Sequence, residues 1–395
     1  MSGFREQYKE MLKQKKISKQ NNMRLLVKLP NYIADIIMCI PSLYALRRIF
    51  PASEHHQIHL LINSQLVDLL NGQDCFDNVI HPAWNEHKVM PWKVSKRLRR
   101  EGSFDAVINF SRQWRFAIGF WMARIPLRAG YSFFGSRFVL TCAPRPIPKG
   151  IKGDYQPPEY YFDLLRSTVE DVPEGLLSQR ELFKLIVSDE TKKEAEEAMK
   201  KGLMSSQYAN KPYFPESFYI VVPGVSPGKY GRLRQWPLEN YVGVTSMLDQ
   251  IQTIPKPVPL FLFGSKDKDL YEIFQEKYSH KLPSKRIVIK PGSISLRHVI
   301  ALIRKSEFIL TGDTGPRHIA AALDKEIKVV TIFGPTSLSR SCYRPDLEFP
   351  IWVNVVCNES ECKTKKCLEK HICMTSVTPQ LVLRSILDFV YEKNE

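Results

Sequence analysis

Short apolar runs alternate with helix-like stretches twice along this 395-residue chain, and this alternation constrains the fold more than any other feature. In the first series the strand-like runs are Met23–Leu29, Gln57–Asn63, Phe76–Pro82 and Phe104–Phe110. In the second series they are Phe218–Gly224, Pro259–Gly264, Arg286–Lys290, Phe308–Gly312 and Lys328–Gly334. Strands that alternate with helices favour parallel sheets covered by helices on both faces. The sequence therefore predicts an α/β protein with two Rossmann-like domains in tandem, whose binding loops follow the carboxyl ends of the strands.

Changes in this pattern set the expected domain boundaries. Residues 1–22 form a basic N-terminal extension, 23–205 the first Rossmann-like domain, 206–376 the second, and 377–395 a closing C-terminal helix. The stretch Gly202–Glu216 is the expected connection between the domains. The extension has apolar residues at helical spacing among its lysines, which fits either a helix lying on anionic lipid or a solvated tail.

The formal net charge of +16 restricts the kinds of partner. Nucleic acid, an anionic membrane surface and phosphorylated substrates would each attract such a chain. Zinc-finger spacing, an RNP-like aromatic motif and a helix-turn-helix pattern are missing from the sequence, so we expect no nucleic-acid partner. The sequence also lacks an apolar run of roughly 20 residues and a secretory signal, so a cytoplasmic location is expected.

The segment Phe308–Thr336 has the pattern of a phosphate-binding turn. A strand ends at Thr311, a Gly-Asp-Thr-Gly turn follows, and Pro316 marks a helix start. The main-chain amides of Thr314 and Gly315 at a helix N-terminus would attract an anion. On spacing alone, an ordinary strand-turn-helix with an Asp cap fits equally well.

Four further residues in this segment are candidate ligands. Asp313 either fixes the turn or holds a ribose hydroxyl, and His318 lies one turn into the helix. Gly334 and Thr336 belong to a second turn, Gly-Pro-Thr, which we expect beside the first.

The string TGDTGPRHIAAAL…IFGPT resembles the donor-binding signature of glycosyltransferase family 9, the ADP-heptose:lipopolysaccharide heptosyltransferases. Segments Val27–Pro51, Phe104–Tyr131 and Val221–Tyr241 also resemble the family, in the family's order. The resemblance implies a GT-B fold, in which an acceptor-binding and a nucleotide-sugar-binding Rossmann-like domain face each other across a cleft. It further implies inverting transfer of heptose from ADP-heptose to the inner core of lipopolysaccharide. The partners would be that donor and a lipid-A-core acceptor, with the protein peripheral on the cytoplasmic face of the inner membrane.

The resemblance assigns the general base to Asp35, between the first strand and the first helix. A carboxylate there can accept the proton of the attacking hydroxyl. Taken alone, Asp35 also fits an ordinary helix N-cap. Ala34 departs from the family, which usually has Gly before this Asp. If this position needs a positive φ, the loop must be rearranged around Ala34. The alternative to an active enzyme is then a relative that binds the donor but is inactive.

The resemblance places Arg234 where the family usually has a Lys before Trp-Pro, a cation that would neutralise the leaving diphosphate. Lys229 and Arg232 are rivals for this role. Lys266 and Asp267 follow a strand where the family contacts the ribose, although a solvated charged loop explains them as well. Because cations and helix-terminal amides stabilise the leaving group, we expect no cofactor to be required for catalysis.

Half of the eight cysteines lie close together in the sequence, at Cys357, Cys362, Cys367 and Cys373. Gaps of four, four and five residues would let four thiolates hold one structural zinc or iron ion, and His371 could replace one of them. A loop of reduced thiols is the alternative.

Two other functions remain open from the sequence. The same fold could use another sugar nucleotide, or a protein or another glycan as acceptor, since those enzymes would share every motif. A basic nucleic-acid-binding protein would explain the charge but not the Gly-Asp-Thr-Gly-Pro turn.

Overall fold

The computed structural model describes residues 16–81, 89–133, 135–145, 157–173, 175, 185–202, 215–225, 231–252, 256–336, 338, 342, 344–355, 367 and 370–391. The chain forms two compact units, Met1–Lys184 and Leu185–Glu395. Each unit contains one parallel sheet within the described residues.

The first unit has a five-stranded sheet in the order β3-β2-β1-β4-β5. Its strands are β1 Arg24–Lys28, β2 Gln57–Leu61, β3 Asn78–Ile80, β4 Ala106–Asn109 and β5 Leu127–Gly130. Its helices are α1 Ile33–Ile49, α2 Pro91–Arg100, α3 Trp114–Met122 and α4 Pro157–Thr168. Strand β1 pairs with β2 on one side and with β4 on the other, so the strand order reverses between β1 and β4. Ligands bind at such a reversal, beyond the carboxyl ends of the strands.

The second unit has a six-stranded sheet in the order β11-β10-β9-β6-β7-β8. Its strands are β6 Phe218–Val222, β7 Val258–Leu262, β8 Ile287–Ile289, β9 Phe308–Gly312, β10 Lys328–Ile332 and β11 Glu348–Ile351. Its helices are α5 Asp189–Gly202, α6 Leu238–Gln250, α7 Lys268–Lys277, α8 Leu296–Lys305, α9 Gly315–Ala322, α10 Ile372–Thr375 and α11 Pro379–Ile386. The order reverses between β6 and β9, which places the turn after β9 at the expected ligand position.

The core of the second unit explains the Trp-Pro pair of the sequence. Trp236 is fully buried in the main apolar cluster, where Val382 and Ile386 of α11 also lie. The indole Nε1 of Trp236 donates a hydrogen bond to the carbonyl oxygen of Val377 at 2.9 Å. The expected closing helix is therefore part of this core.

The expected domain boundary at 205/206 falls too late in the chain. Helix α5 packs against α8 of the second unit, with ion pairs between Arg297 and Glu194 at 2.6 Å and between Lys305 and Glu196 at 3.0 Å. The amphipathic pattern of α5 predicts that one of its faces packs against the protein, but it does not predict which domain the helix packs against. The expected connection at 202–216 lies almost wholly outside the described residues.

The N-terminal extension is partly integrated into the first unit. Ile17 is fully buried, and its N–H donates to the carbonyl oxygen of Thr168 at 2.8 Å. Lys19 also pairs with Glu54 at 2.6 Å. Residues 1–15, which carry most of the proposed lipid-binding helix, lie outside the described residues.

Within the described residues, none of the helices has both the length and the apolar composition needed to cross a bilayer.

Candidate functional site

Asp35 lies in the first turn of α1, two residues after the helix begins at Ile33. The residue in the N-cap position is Tyr32, so the N-cap interpretation of Asp35 is wrong. Ala34 lies in the same turn and is not among the residues with positive φ. Glycine is therefore not required at this position, and Ala34 needs no rearranged loop.

The Asp35 carboxyl group is partly buried, and three elements meet around it. Desolvation raises its pKa, whereas the Arg112 guanidinium and a hydrogen bond from Tyr161 oppose this shift. Arg112 follows β4 and Tyr161 belongs to α4. The base candidate thus lies at the reversal between β1 and β4, next to a cation and a phenol.

Aromatic rings surround this carboxyl group. The ring of Phe110 meets that of Tyr161 edge to face at 5.4 Å between centroids, and the Arg112 Cζ lies 5.0 Å from the Tyr160 ring centroid. Burial and the nearby Asp35 raise the pKa of the Cys39 thiol well above its ordinary value. Water is largely displaced on this side of Asp35, which makes the carboxylate a stronger base than a solvated one.

The Gly-Asp-Thr-Gly turn leads into α9 as the sequence predicts. Thr314 occupies the N-cap position, Pro316 lies in the first turn, and no side chain among the described residues caps the helix. The Thr314 hydroxyl instead lies 3.1 Å from that of Thr311. The N-terminal amides of α9 and the partial positive charge of the helix end therefore remain suited to an anion.

Asp313 connects this turn to Arg234. Its carbonyl oxygen accepts a hydrogen bond from Arg234 Nη1 at 3.0 Å, and its Oδ2 lies 3.7 Å from the same nitrogen. Its Oδ1 lies 3.2 Å from Nη2 of Arg317. Since Asp313 is only 6% exposed, this arrangement favours the turn-fixing role over contact with a ribose.

His318 is buried behind the turn. Its Nε2 lies 3.1 Å from Nη2 of Arg317. Burial first, and then the charges of Arg317 and Arg234, lower the pKa of His318 well below its ordinary value. The imidazole is therefore neutral at neutral pH.

Sequence reasoning missed an ion pair beneath this turn. Arg317 is almost completely buried, and its Nη1 donates to both carboxylate oxygens of Glu348 at 2.6 and 2.7 Å. Thr331 donates to the same carboxylate at 2.7 Å. Arg317 stands in the quoted Gly-Pro-Arg-His string, but its partner lies in β11, a strand that the sequence pattern did not reveal.

The Gly-Pro-Thr turn follows β10, which pairs with β9. A Cβ at Gly334 would lie 2.1 Å from the Sδ of Met374, so this glycine permits close packing of α10. The Thr336 hydroxyl is buried without a hydrogen-bond partner among the described residues, which leaves it available to a ligand.

The remaining candidates lie elsewhere or outside the described residues. Asp267 accepts a hydrogen bond from the Gly264 N–H at 2.8 Å and so stabilises its own turn after β7, whereas Lys266 is exposed. This turn is separated from the β9 turn by β6. Lys229, the side chain of Arg232, Cys357 and Cys362 lie outside the described residues.

Only two of the four clustered cysteines are described. The Cys367 sulfur accepts a hydrogen bond from the His371 N–H at 3.2 Å, and Cys373 lies in α10. Within the described part of the chain, no group of three or more His, Cys, Asp or Glu residues could hold a metal ion.

A helix N-terminus that follows a strand at the strand-order reversal of a parallel sheet is suited to binding the phosphates of a nucleotide. Residues 91–377 match the profile of glycosyltransferase family 9 (heptosyltransferase). This match covers most of the chain, and the chain belongs to glycosyltransferase family 9.

Individual relatives agree with this assignment. Over 168 residues the chain is 30% identical to lipooligosaccharide heptosyltransferase 2 of Haemophilus ducreyi, in an alignment covering 41% of this chain and 46% of the relative. The chain thus spans about half the length of that curated relative.

Two solved structures share the fold. The glycosyltransferase family 9 protein of Veillonella parvula DSM 2008 has a TM-score of 0.73 at 18% identity, covering 95% of this chain and 99% of that one. ADP-heptose lps heptosyltransferase II of E. coli has a TM-score of 0.66 at 19% identity, covering 93% and 98%. The predicted fold class, two Rossmann-like domains of the GT-B type, is confirmed.

Proposed function

We propose that this protein is an inverting glycosyltransferase that moves a heptose from ADP-heptose to the inner core of lipopolysaccharide. The observation that carries the proposal is the position of Arg234, which is anchored on Asp313 beside the uncapped N-terminus of α9. The names of the relatives supply the sugar and the acceptor, since both are heptosyltransferases and one is named for ADP-heptose and lps.

On the donor side, the diphosphate binds at the amides of Thr314 and Gly315. As the bond from the anomeric carbon to the diphosphate oxygen breaks, negative charge grows on the departing ADP. Arg234 and the helix end are already oriented to stabilise that charge, which is the efficient form of electrostatic catalysis. Thr336 supplies a hydroxyl from the neighbouring turn, Lys229 supplies further positive charge, and Lys266 contacts the ribose.

On the acceptor side, Asp35 removes the proton of the attacking hydroxyl. The acceptor oxygen forms its bond to the anomeric carbon on the face opposite the diphosphate, so the configuration inverts. Tyr161 and Arg112 hold the carboxylate and keep it ionised. Without Arg112, burial would leave more of the carboxyl group protonated and inactive.

We propose further that catalysis needs no cofactor, because the chain supplies the cationic groups that stabilise the leaving diphosphate. Full activity should be reached without added divalent cation, and stimulation by Mg²⁺ would contradict this. The protein would act in the cytoplasm, peripheral to the inner membrane, on a lipid-A-core acceptor, without a nucleic-acid partner.

The cysteine cluster is proposed to hold one structural zinc or iron ion through Cys357, Cys362, Cys367 and Cys373. Elemental analysis of the purified chain should give about one ion per chain, and Cys367→Ser should reduce this content. Cys142→Ser, at a buried cysteine in the first unit, is the control. Metal-free protein with an unchanged melting temperature would contradict the proposal.

The test of the activity is a donor screen. The purified chain is incubated with delipidated core acceptor and a panel of sugar nucleotides, and products are read by mass spectrometry. Transfer from ADP-heptose with release of ADP is the expected result. Failure with every sugar nucleotide would overturn the transferase assignment, whereas transfer of another sugar would correct only the donor.

A further inference from the structure

Helices α2 and α3 form a surface on the first unit that the proposed chemistry does not use. We call it the α2–α3 face and define it by Trp92, Lys93, Lys96 and Arg100 of α2 and Trp114, Ile118 and Trp121 of α3. The sequence PWKVSKRLRR already marks α2 as a basic helix, and no role in sugar transfer accounts for it.

Both helices cover the same side of the sheet. Val94 of α2 and Phe116 of α3 belong to one buried cluster with Leu26 and Val107 of the strands. The helices cross closely at Gly119, where a Cβ would lie 2.7 Å from the Cβ of Val94. Their outer faces therefore point away from the sheet on the same side of the unit.

The outer face of α2 is cationic. Lys93, Lys96, Arg99 and Arg100 are exposed. Arg97 pairs with Glu101 at 2.6 Å just beyond the helix, and neither α2 nor α3 contains Asp or Glu. Among the described residues Lys93, Lys96 and Arg100 have no ion-pair partner, so this positive charge is not neutralised locally.

The outer face of α3 is apolar and aromatic. Trp92, beside it on α2, is 52% exposed, and Trp121 is 55% exposed. Ile118 and Trp114 are partly exposed on the same side of α3. Large apolar side chains left in solvent next to a polar rim mark an interaction surface.

We propose that the α2–α3 face docks the protein on an anionic phospholipid bilayer. Tryptophan favours the headgroup layer because its ring is apolar and its N–H is polar. The α2 cations would lie against lipid phosphates, and each such cation strengthens binding by about fivefold near an anionic surface. A nucleic-acid duplex would satisfy the cations but offers no apolar layer for Trp121 and Ile118, so the aromatic residues favour the bilayer.

The test is flotation of the full chain with phosphatidylcholine vesicles, with and without phosphatidylglycerol. Binding is expected only when phosphatidylglycerol is present. Lys96→Glu with Arg100→Glu should weaken it by about 25-fold or more, since the attraction of two cations is lost and the new charges are repelled. Trp92→Ala with Trp121→Ala should also weaken it and remove most quenching of tryptophan fluorescence by brominated lipid.

Matched controls lie in the second unit. Trp352 is 52% exposed, and Lys277 and Lys285 are exposed lysines outside the proposed surface. Trp352→Ala, and Lys277→Glu with Lys285→Glu, should leave vesicle binding unchanged. All variants should keep the wild-type melting temperature and ADP affinity, so that a failure of the transferase assignment remains distinguishable from a failure of this surface.

Three results would overturn the proposal. One is equal vesicle binding by wild type and both α2–α3 variants. Another is loss of binding only with Lys9→Glu and Lys13→Glu, which would assign docking to the N-terminal segment. The third is tighter binding to a short DNA duplex than to anionic vesicles.

Discussion

Arg234 donates a hydrogen bond from Nη1 to the main-chain carbonyl oxygen of Asp313 at 3.0 Å. The contact joins two segments 79 residues apart in sequence, the turn before Trp-Pro and the Gly-Asp-Thr-Gly turn. Because a carbonyl anchors the guanidinium, Arg234 is oriented before a ligand arrives. A preoriented cation stabilises a developing charge without reorganisation during the reaction.

Replacing Arg234 should reduce kcat/KM in two steps. Arg234→Lys keeps the charge but loses the planar guanidinium, so we expect a reduction of about tenfold. Arg234→Ala loses both, and a charge-assisted hydrogen bond of about 1.5–3 kcal/mol corresponds to a reduction of roughly 10- to 150-fold. Steady-state kinetics with ADP-heptose measure this. Arg384→Ala, on the exposed surface of α11, is the control. An equal reduction of kcat/KM in Arg234→Lys and Arg234→Ala would refute a role for guanidinium geometry.

Asp35→Asn should lower kcat by about 10²- to 10⁴-fold, the usual contribution of a general base, while ADP affinity stays unchanged. Single-turnover assays and calorimetry with ADP separate the two effects. Asp388→Asn provides a matched change on the C-terminal segment. A kcat within a factor of about two of wild type would remove Asp35 from the base role.

The same substitution should raise stability at neutral pH. The pKa of Asp35 is raised in the folded state from an ordinary value of 3.8, so ionisation is easier in the unfolded chain. As the pH rises from 3.8 through the folded-state pKa of Asp35, ionisation favours the unfolded chain and the free energy of unfolding of the wild type falls. An Asn side chain does not ionise, so Asp35→Asn avoids this loss. Urea unfolding at pH 8 should show Asp35→Asn more stable than wild type, with the difference vanishing at acidic pH. A destabilised variant at pH 8 would contradict the desolvated environment.

Arg112 and Tyr161 should set the acidic limb of the pH–rate profile. Activity rises as Asp35 loses its proton, and both neighbours lower its pKa against the effect of burial. Arg112→Gln and Tyr161→Phe should each move this limb of kcat/KM to higher pH, whereas Arg137→Gln, on an exposed turn, should not. A purely structural role would lower the plateau without moving the limb.

Replacing one partner of the buried Arg317–Glu348 pair should strongly lower the free energy of unfolding. Arg317→Met leaves the buried Glu348 carboxylate without its cation, and about 3–5 kcal/mol of unfolding free energy should be lost. The double variant Arg317→Met with Glu348→Leu should recover most of this. Asp324→Asn, which breaks the exposed pair with Arg304, should cost less than about 1 kcal/mol. Urea unfolding gives each value; similar costs for the two pairs would contradict the argument.

Much of the architecture follows from local sequence. The nine expected strands all form, because strands buried on both faces need continuous apolar runs such as Phe308–Gly312. The two strands that the sequence pattern did not reveal, Leu127–Gly130 and Glu348–Ile351, include Arg128, Glu348 and Pro350, which interrupt the apolar signal. Ser64–Leu70 forms a 3₁₀ helix, whose hydrogen bonding the apolar pattern of a sequence does not distinguish from that of an α-helix.

The candidate site could be predicted only in part from the sequence, for a related reason. Asp35, Arg234 and the Thr314 turn lie in local motifs, so spacing and resemblance were enough to name them as candidates. Arg112, Tyr161 and Glu348 matter through contacts between residues far apart in the chain, and these depend on sheet order. The sequence left two roles open for Asp313, fixing the turn or holding a ribose hydroxyl. Because Asp313 is buried beside Arg234 and Arg317, the structure favours the first role.

Calorimetric titration of wild type and Arg234→Ala with ADP and with AMP tests most directly whether the α9 turn and Arg234 hold a diphosphate. Wild type should bind ADP about tenfold or more tightly than AMP, because the second phosphate carries the charge that these groups recognise. In Arg234→Ala most of this preference should disappear while AMP affinity changes little. An undiminished preference for ADP in the variant, or none in wild type, would contradict the account.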